Sequence, residues 1–298
     1  MKSSVMAEDW KRPARGFDEI SSVFLTSPQF ERSAQAAPDP ALSNSGSPLQ
    51  SALLCCLSPS PAVESFFAAN IAVEIAKNNQ TVSLIDLGFE RSIVLHLMGC
   101  TSPARGAFRP AKTVHPDYKV ESIRLPELPE ITLVYPAIPR AGNVPGRTVE
   151  RIFAEEKVRK CNVVLMNLPG GSYEAAGPEI LARIRRAVLL MDGGLHSLAK
   201  AYSWIKRLSS GCSYYLIGAV PGTGEDNNAV LQNVAKLQKT VFKHLPVGLV
   251  LRVVTVPLDR EARTSMQSGE PLGLVEPPIR SASADAIMKL CQNLLRSE

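Results

Sequence analysis

From Ser51 to the C-terminus, apolar runs of strand length alternate with segments whose apolar positions recur at helical spacing. Seven runs read as buried strands: Ala52–Leu57, Val82–Leu87, Ile131–Tyr135, Val163–Leu168, Ala187–Met191, Tyr214–Val220 and Gly248–Val256. Between them lie amphipathic stretches at Val63–Lys77, Arg147–Glu156, Tyr173–Ile184, His196–Leu208 and Asn228–Phe242. Strand-then-helix order, repeated, implies right-handed crossovers. The expected fold is α/β, a mostly parallel seven-stranded sheet with helices on both faces. Ligands of such folds sit beyond the C-terminal strand ends.

The first 50 residues break this pattern. They mix Ser, Pro, Ala and charges and end in a polar stretch, Ala36 to Gln50. We expect residues 1–50 to be a flexible leader and 51–298 one α/β domain. Within the leader Ile20, Val23 and Phe24 fall at i, i+3 and i+4 behind Asp18 and Glu19, a pattern that permits one short partner-docking helix. In the domain the least regular segment is Gly99–Leu128, rich in Pro and basic residues, with an edge strand expected at Tyr118–Leu125. No internal repeat is visible.

Composition narrows the class. The chain has 298 residues, 45% hydrophobic and 20% charged, which excludes wholesale disorder and fibrous repeats. A net charge of +5 is small against 33 basic and 28 acidic side chains, and residues 1–50 hold five Lys/Arg against six Asp/Glu, so no basic tail exists. No window approaches the roughly 20 apolar residues of a membrane span, and the N-terminus lacks the order of a secretory signal, so a cytoplasmic address is expected. Cys55, Cys56, Cys100, Cys161, Cys212 and Cys291 show no metal spacing and read as reduced core residues.

The first strand leads into Ser58-Pro59-Ser60-Pro61-Ala62-Val63-Glu64-Ser65-Phe66, then an Ala68-Ala69-Asn70-Ile71-Ala72 helix, then a second strand ending in Asp86. This order resembles the opening of the MinD/ParA family of SIMIBI-class P-loop ATPases, whose turn reads G-K-G-G-V-G-K-T-T. The overlay puts the motif's glycines on Ser58, Ser60, Pro61 and Val63. Its first lysine falls on Pro59, its phosphate-binding lysine on Glu64 and its magnesium-binding hydroxyl on Ser65. Only the hydroxyl is kept. A phosphate cradle needs consecutive N–H groups, close backbone approach and a cation. Pro59 and Pro61 have no N–H, Val63 adds a β-branched side chain, and Glu64 brings a like charge to the anion.

The family resemblance implies further departures. A second Asp expected two residues after Asp86 is Gly88; the Walker B aspartate, in Val163–Leu168 before Pro169-Gly170-Gly171, is Asn167; and Gly218 stands near an adenine-reading Asn. An amide cannot supply the charge that holds a magnesium water shell. The ending is also similar to MinD and FlhG: Val253 to Glu261 as strand and Pro-x-Asp turn, Gly269-Glu270-Pro271-Leu272, then Ser281–Leu295 as the last helix. The matches run over roughly residues 51–296.

Other chemistry is sparse. His96, His115, His196 and His244 are dispersed, and no metal site is expected. Asp86 and Asp192 close two strands and read as helix caps or a polar site; Gly170-Gly171 and Gly193-Gly194 read as tight turns. Basic clusters at Lys157, Arg159, Lys160 and at Arg183, Arg185, Arg186 read as solvated helix ends, with DNA contact as the alternative. In the last helix Ile287, Met288, Cys291, Leu294 and Leu295 form one face, expected to pack on the sheet rather than bind membrane.

The sequence therefore predicts a catalytically inactive relative of the MinD/ParA ATPases, with no catalytic residues and no cofactor. Resemblance to FlhG, TadZ/CpaE and BcsQ-like proteins implies a protein-binding scaffold or regulator in a bacterial envelope machine, with an active paralogue or assembly component as partner and a homo- or heterodimer as its form. The alternatives are an ATPase with an atypical loop using Ser65 and Asp86, and a DNA-bound partition protein.

Overall fold

A computed structural model of the chain describes residues 50–56, 61–86, 108–109, 118–123, 128–136, 146–168, 181, 184–209, 211–221, 227–245, 249–268, 271–272 and 281–296. They belong to one compact unit. Among the described residues its strands are β1 (Gln50–Cys56), β2 (Val82–Asp86), β3 (Phe108–Arg109), β4 (Tyr118–Ile123), β5 (Ile131–Pro136), β6 (Val163–Leu168), β7 (Arg186–Met191), β8 (Tyr214–Ala219) and β9 (Val250–Thr255). The helices are α1 (Pro61–Lys77), α2 (Gly146–Ala154), α3 (Glu156–Arg159), α4 (Leu195–Leu208), α5 (Asn227–His244), α6 (Arg260–Ser268) and α7 (Ala282–Leu295).

One sheet runs in the order β3-β4-β5-β2-β6-β1-β7-β8-β9. The seven expected strands are all present and mutually parallel. Among the described residues the expectation of an edge strand at Tyr118–Leu125 is corrected: β4 ends at Ile123 and pairs antiparallel with both β5 and β3, so the two-residue β3 lies outside it. The chain steps from central β1 to β2, returns through β6 between them, and then crosses to β7, β8 and β9 on the other side. Reversal of direction beside β1 makes the C-terminal ends of β1, β6 and β7 the place such a topology offers a ligand.

Both faces of the sheet are covered, and two adjacent tyrosines show how. Tyr214 donates its hydroxyl to Asn293 O on α7 at 3.1 Å, whereas Tyr215 donates to Ile205 O on α4 at 3.2 Å. Side chains alternate along a strand, so one face receives α1 and α7 and the other α4. Nearly every described position of α1 is apolar and buried, from Phe66 through Ala76 apart from Asn70 and Glu74, as expected of a helix enclosed on all sides. It ends in a left-handed turn at Asn79 (φ 56°), where Asn79 N reaches Ala76 O at 2.9 Å.

α7 lies against α1 as well as against β8 and β9, and of the face expected to pack on the sheet Ile287, Cys291 and Leu294 are buried, joined by Leu290. Met288 departs from that face and is 39% exposed, because position 288 has turned past the α1 contact. Cys161, Cys212 and Cys291 are buried free thiols, and burial pushes all three above the ordinary thiol pKa. The expected helix at Tyr173–Ile184, the leader with Ile20, Val23 and Phe24, and Cys100 fall outside the described residues or nearly so. Among the described residues no helix is long and apolar enough to cross a membrane.

Candidate functional site

The C-terminal strand edge beside β1 includes the ends of β6 and, next to it, β2, and α1 follows β1 in the chain. Pro61 is the first helical residue of α1. That position suits proline, whose ring presets φ and whose missing N–H has no partner inside a helix anyway. It also deletes one of the donors that a helix N-terminus offers an anion. Val63, where the resembled motif has glycine, is 8% exposed and belongs to the apolar cluster formed with Phe66 and Phe67. Glu64 and Ser65 lie within the first five residues of α1, with side chains outside the described set; Ser58, Pro59, Ser60 and Gly88 are outside it altogether.

Asp86 and Asn167 are brought together. They are register partners across the parallel β2–β6 pair, 3% and 2% exposed, and Asn167 Nδ2 donates to Asp86 Oδ1 at 3.0 Å. A carboxylate only accepts, so the amide must turn its NH₂ toward Asp86. Its own Oδ1 is then buried and has no hydrogen-bond partner among the described residues. A hydrogen bond to a charged acceptor contributes about 1.5–3 kcal/mol. A carboxylate in place of the amide would instead set two negative charges about 3 Å apart, a repulsion of about 5 kcal/mol at an effective dielectric near 20.

The other strand ends are structural. Asp192, after β7, accepts from Gly194 N at 2.9 Å and from Ser197 Oγ at 2.6 Å, but the N-cap of α4 is Gly194 and no side chain caps the helix, so Asp192 braces the turn before α4 and does not cap it as expected. Gly193, in the adjoining turn, accepts at its carbonyl from Asn233 Nδ2 at 2.7 Å. At Gly218 an added Cβ would lie 2.4 Å from Leu190 Cδ2, so a larger residue, such as the adenine-reading Asn that the resemblance expects, needs the Leu190 side chain to shift.

Sequence reasoning missed a polar seam behind this edge. Asn70, in the otherwise apolar α1, donates to Phe66 O at 2.8 Å and accepts from Leu272 N at 2.8 Å, fastening the Gly-x-Pro-Leu segment to the central helix. Asp259, after β9, accepts from Ala262 N at 2.9 Å and Ser283 N at 3.0 Å. Burial opposes its ionisation, but these N–H groups and the hydroxyls of Ser283 and Ser281 together hold its carboxyl below the ordinary value. A lone Asn among alanines and isoleucines was the available signal for the first; nothing local points from Asp259 to Ser283.

Three members of the basic clusters, Lys160, Arg185 and Arg186, have partners among the described residues. Lys160 pairs with Glu156 at 2.5 Å, both exposed. Arg185 donates to Gly211 O at 3.3 Å; Arg186 donates to Leu294 O and lies over the Tyr214 ring, 5.5 Å from its centroid. A cation on the last carbonyls of α7 complements the helix dipole.

No family sequence model matches the chain, and no curated protein sequence matches it. Solved structures do. The septum site-determining protein MinD with Mg-ADP from Pyrococcus horikoshii OT3 is similar over 83% of this chain and 96% of its own, at 14% identity and a TM-score of 0.54. MinD in the MinC:MinD cell division complex of Aquifex aeolicus is similar over 82% and 95%, at 16% identity and 0.54. A ParA family ATPase from Chlorobium tepidum TLS is similar over 82% and 98%, at 14% identity and 0.52. Together with the parallel sheet, its reversal beside β1 and the helices on both faces, these likenesses establish that the chain has the fold of the MinD and ParA ATPases.

Proposed function

We propose that this chain is a MinD/ParA-like protein that does not hydrolyse nucleotide and acts as a protein-binding scaffold or regulator. Its proposed setting is bacterial envelope machinery: a flagellum, a pilus or polysaccharide synthesis. The observation that carries the first part is the bond from Asn167 to Asp86. On this reading the residues at this strand edge do not fit a magnesium-bound triphosphate. Pro61 withholds an N–H from the start of α1, Val63 fills glycine's place with an apolar side chain, and Asn167 puts a neutral amide on the carboxylate beside which a cation would be expected. The setting rests on resemblance to FlhG, TadZ/CpaE and BcsQ-like proteins. That a protein of this fold works through another protein is supported by the Aquifex MinD, which is solved with MinC. Residence in the cytoplasm, recruitment by the partner, a dimeric form, and partner contact through Ile20, Val23 and Phe24 are parts of the same proposal.

The competing reading keeps Asp86 and Ser65 as the remnants of an active ATPase, and the retained Asp86 at the end of β2 is what favours it. Calorimetric titration of the full chain with Mg-ATP separates the two. The scaffold reading expects no binding heat. Micromolar binding that Ser65→Ala abolishes would replace it with the ATPase, and retention on nonspecific duplex DNA with a steep salt dependence would replace it with a partition protein. Removing residues 1–45 is expected to abolish partner capture; undiminished capture removes the leader from the proposal.

A further inference from the structure

The Asp86–Asn167 pair goes beyond the loss of a site. Both side chains are at least 97% buried and sit opposite each other in the β2–β6 register, so the contact is set by strand pairing rather than by a surface rotamer. Asn167 spends its Nδ2 on Asp86 and leaves Oδ1 buried with no partner among the described residues. An apolar side chain would carry no such unmet acceptor. The amide is therefore explained by what it gives Asp86: an N–H donor fixed in direction, at the point where the chain leaves β2.

We infer that the Asn167 amide takes the role of a cation beside Asp86, so that the ends of β2 and β6 keep one arrangement whether or not a divalent ion is present. This deepens the scaffold reading and rests on it: a protein that presents a fixed surface needs the C-terminal end of β2 held without a ligand. A nucleotide-gated protein needs that end to respond when the ligand comes and goes. The exchange of a carboxylate for an amide achieves this at one position. It removes the repulsion that a bound ion would otherwise have to offset, and it supplies the donor within the fold.

The test is thermal unfolding of the full chain in EDTA and in millimolar Mn²⁺, without nucleotide, for the wild type and three variants. The wild type is expected to shift by less than about 1 °C between the two conditions. Asn167→Asp is expected to fall by about 4 °C or more in EDTA and to regain at least half of that loss in Mn²⁺. Asn167→Leu is expected to fall in EDTA and regain nothing. Exchanging the pair, Asp86→Asn together with Asn167→Asp, keeps one carboxylate and one amide in the same register and is expected to restore ion-independent melting. Stabilisation of the wild type by Mn²⁺ of several degrees overturns the inference, as does an Asn167→Asp protein indifferent to the ion. Should Asn167→Asp fail to fold, the wild type and the exchanged pair decide: an exchanged pair that needs Mn²⁺ to fold overturns it. Failure here is separable from failure of the scaffold reading, since heat on adding Mg-ATP to an ion-indifferent wild type removes the scaffold and leaves the lock.

Discussion

Asp86 and Asp259 both stand at C-terminal strand ends of one sheet, the first closing β2 and the second following β9. Asp259 accepts from two backbone N–H groups, those of Ala262 and Ser283. Asp86 takes the side-chain amide of Asn167. Backbone donors are present whatever residue stands at their position, so these two bonds follow from the chain path between β9 and α7, with the hydroxyls of Ser283 and Ser281 added to them. The bond to Asp86 exists only because position 167 is Asn, and one substitution changes its chemistry. The two backbone bonds to Asp259 therefore belong to architecture, and the Asn167 bond to Asp86 marks a place where sequence has adjusted a site. The seam at Asn70 is the mirror case, a side chain that satisfies a backbone N–H.

That seam gives the largest expected effect. Asn70→Ala leaves the buried Leu272 N–H without its acceptor and opens space in a fully packed helix, at a cost of about 3 kcal/mol. Urea unfolding checks it, and a loss below about 1 kcal/mol would show that the Gly-x-Pro-Leu segment does not depend on α1.

Next is Gly218→Asn, which puts back the residue that resemblance expects. With Leu190 Cδ2 2.4 Å from the new Cβ, overpacking should cost about 2 kcal/mol and give no nucleotide binding in the calorimeter. Binding of ATP by that variant would place adenine recognition at β8 and weaken the division between architecture and site.

Much of this was legible in the chain. The seven parallel strands follow from uninterrupted apolar runs, because a strand buried on both faces has no polar side to show. Asp86, Asp192 and Asn167 were legible as strand-end residues. Their partners were not: the Asp86–Asn167 contact spans 81 positions and depends on β6 inserting between β1 and β2, a fact of topology. β3 escaped because two residues, Phe108 and Arg109, carry no period. The Asn70–Leu272 bond joins positions 202 apart, and the clamp of Arg186 on Leu294 likewise needed the fold to bring β7 to the end of α7. Proline at position 61 read as a lost donor, and the structure adds that it starts the helix.

Asp259→Ala should cost about 1.5 kcal/mol, the usual range for a lost cap, moderated by partial exposure of the carboxylate. The pH dependence has a definite sign. Hydrogen bonds hold the folded carboxyl below its unfolded value, so the unfolded chain takes up the proton first as pH falls. The contribution is complete above the ordinary carboxylate range and disappears as pH drops through the folded value. The wild-type advantage over Asp259→Ala should therefore shrink below about pH 4. An advantage that persists unchanged at pH 2 would mean packing, not the carboxylate, joins β9 to α7.

Glu121 sharpens the comparison with the smallest effect and the opposite sign. It lies on β4, accepts from Tyr135 Oη at 2.5 Å, and keeps a buried Oε2 with no partner among the described residues. Burial raises its carboxyl pKa, against the Tyr135 hydrogen bond and the Lys119 charge, which lower it. The folded chain therefore takes the proton first. Stability from this group is greatest below the ordinary carboxylate value and declines as pH rises through the window up to the raised folded value. Glu121→Gln keeps an acceptor for Tyr135 and removes the charge, so at pH 7 it should change stability by less than about 1 kcal/mol, in the stabilising direction. It should also flatten the fall in stability as pH rises above the ordinary carboxylate value. A variant less stable than wild type at pH 7, with the pH slope intact, would show that the Tyr135–Glu121 bond outweighs desolvation.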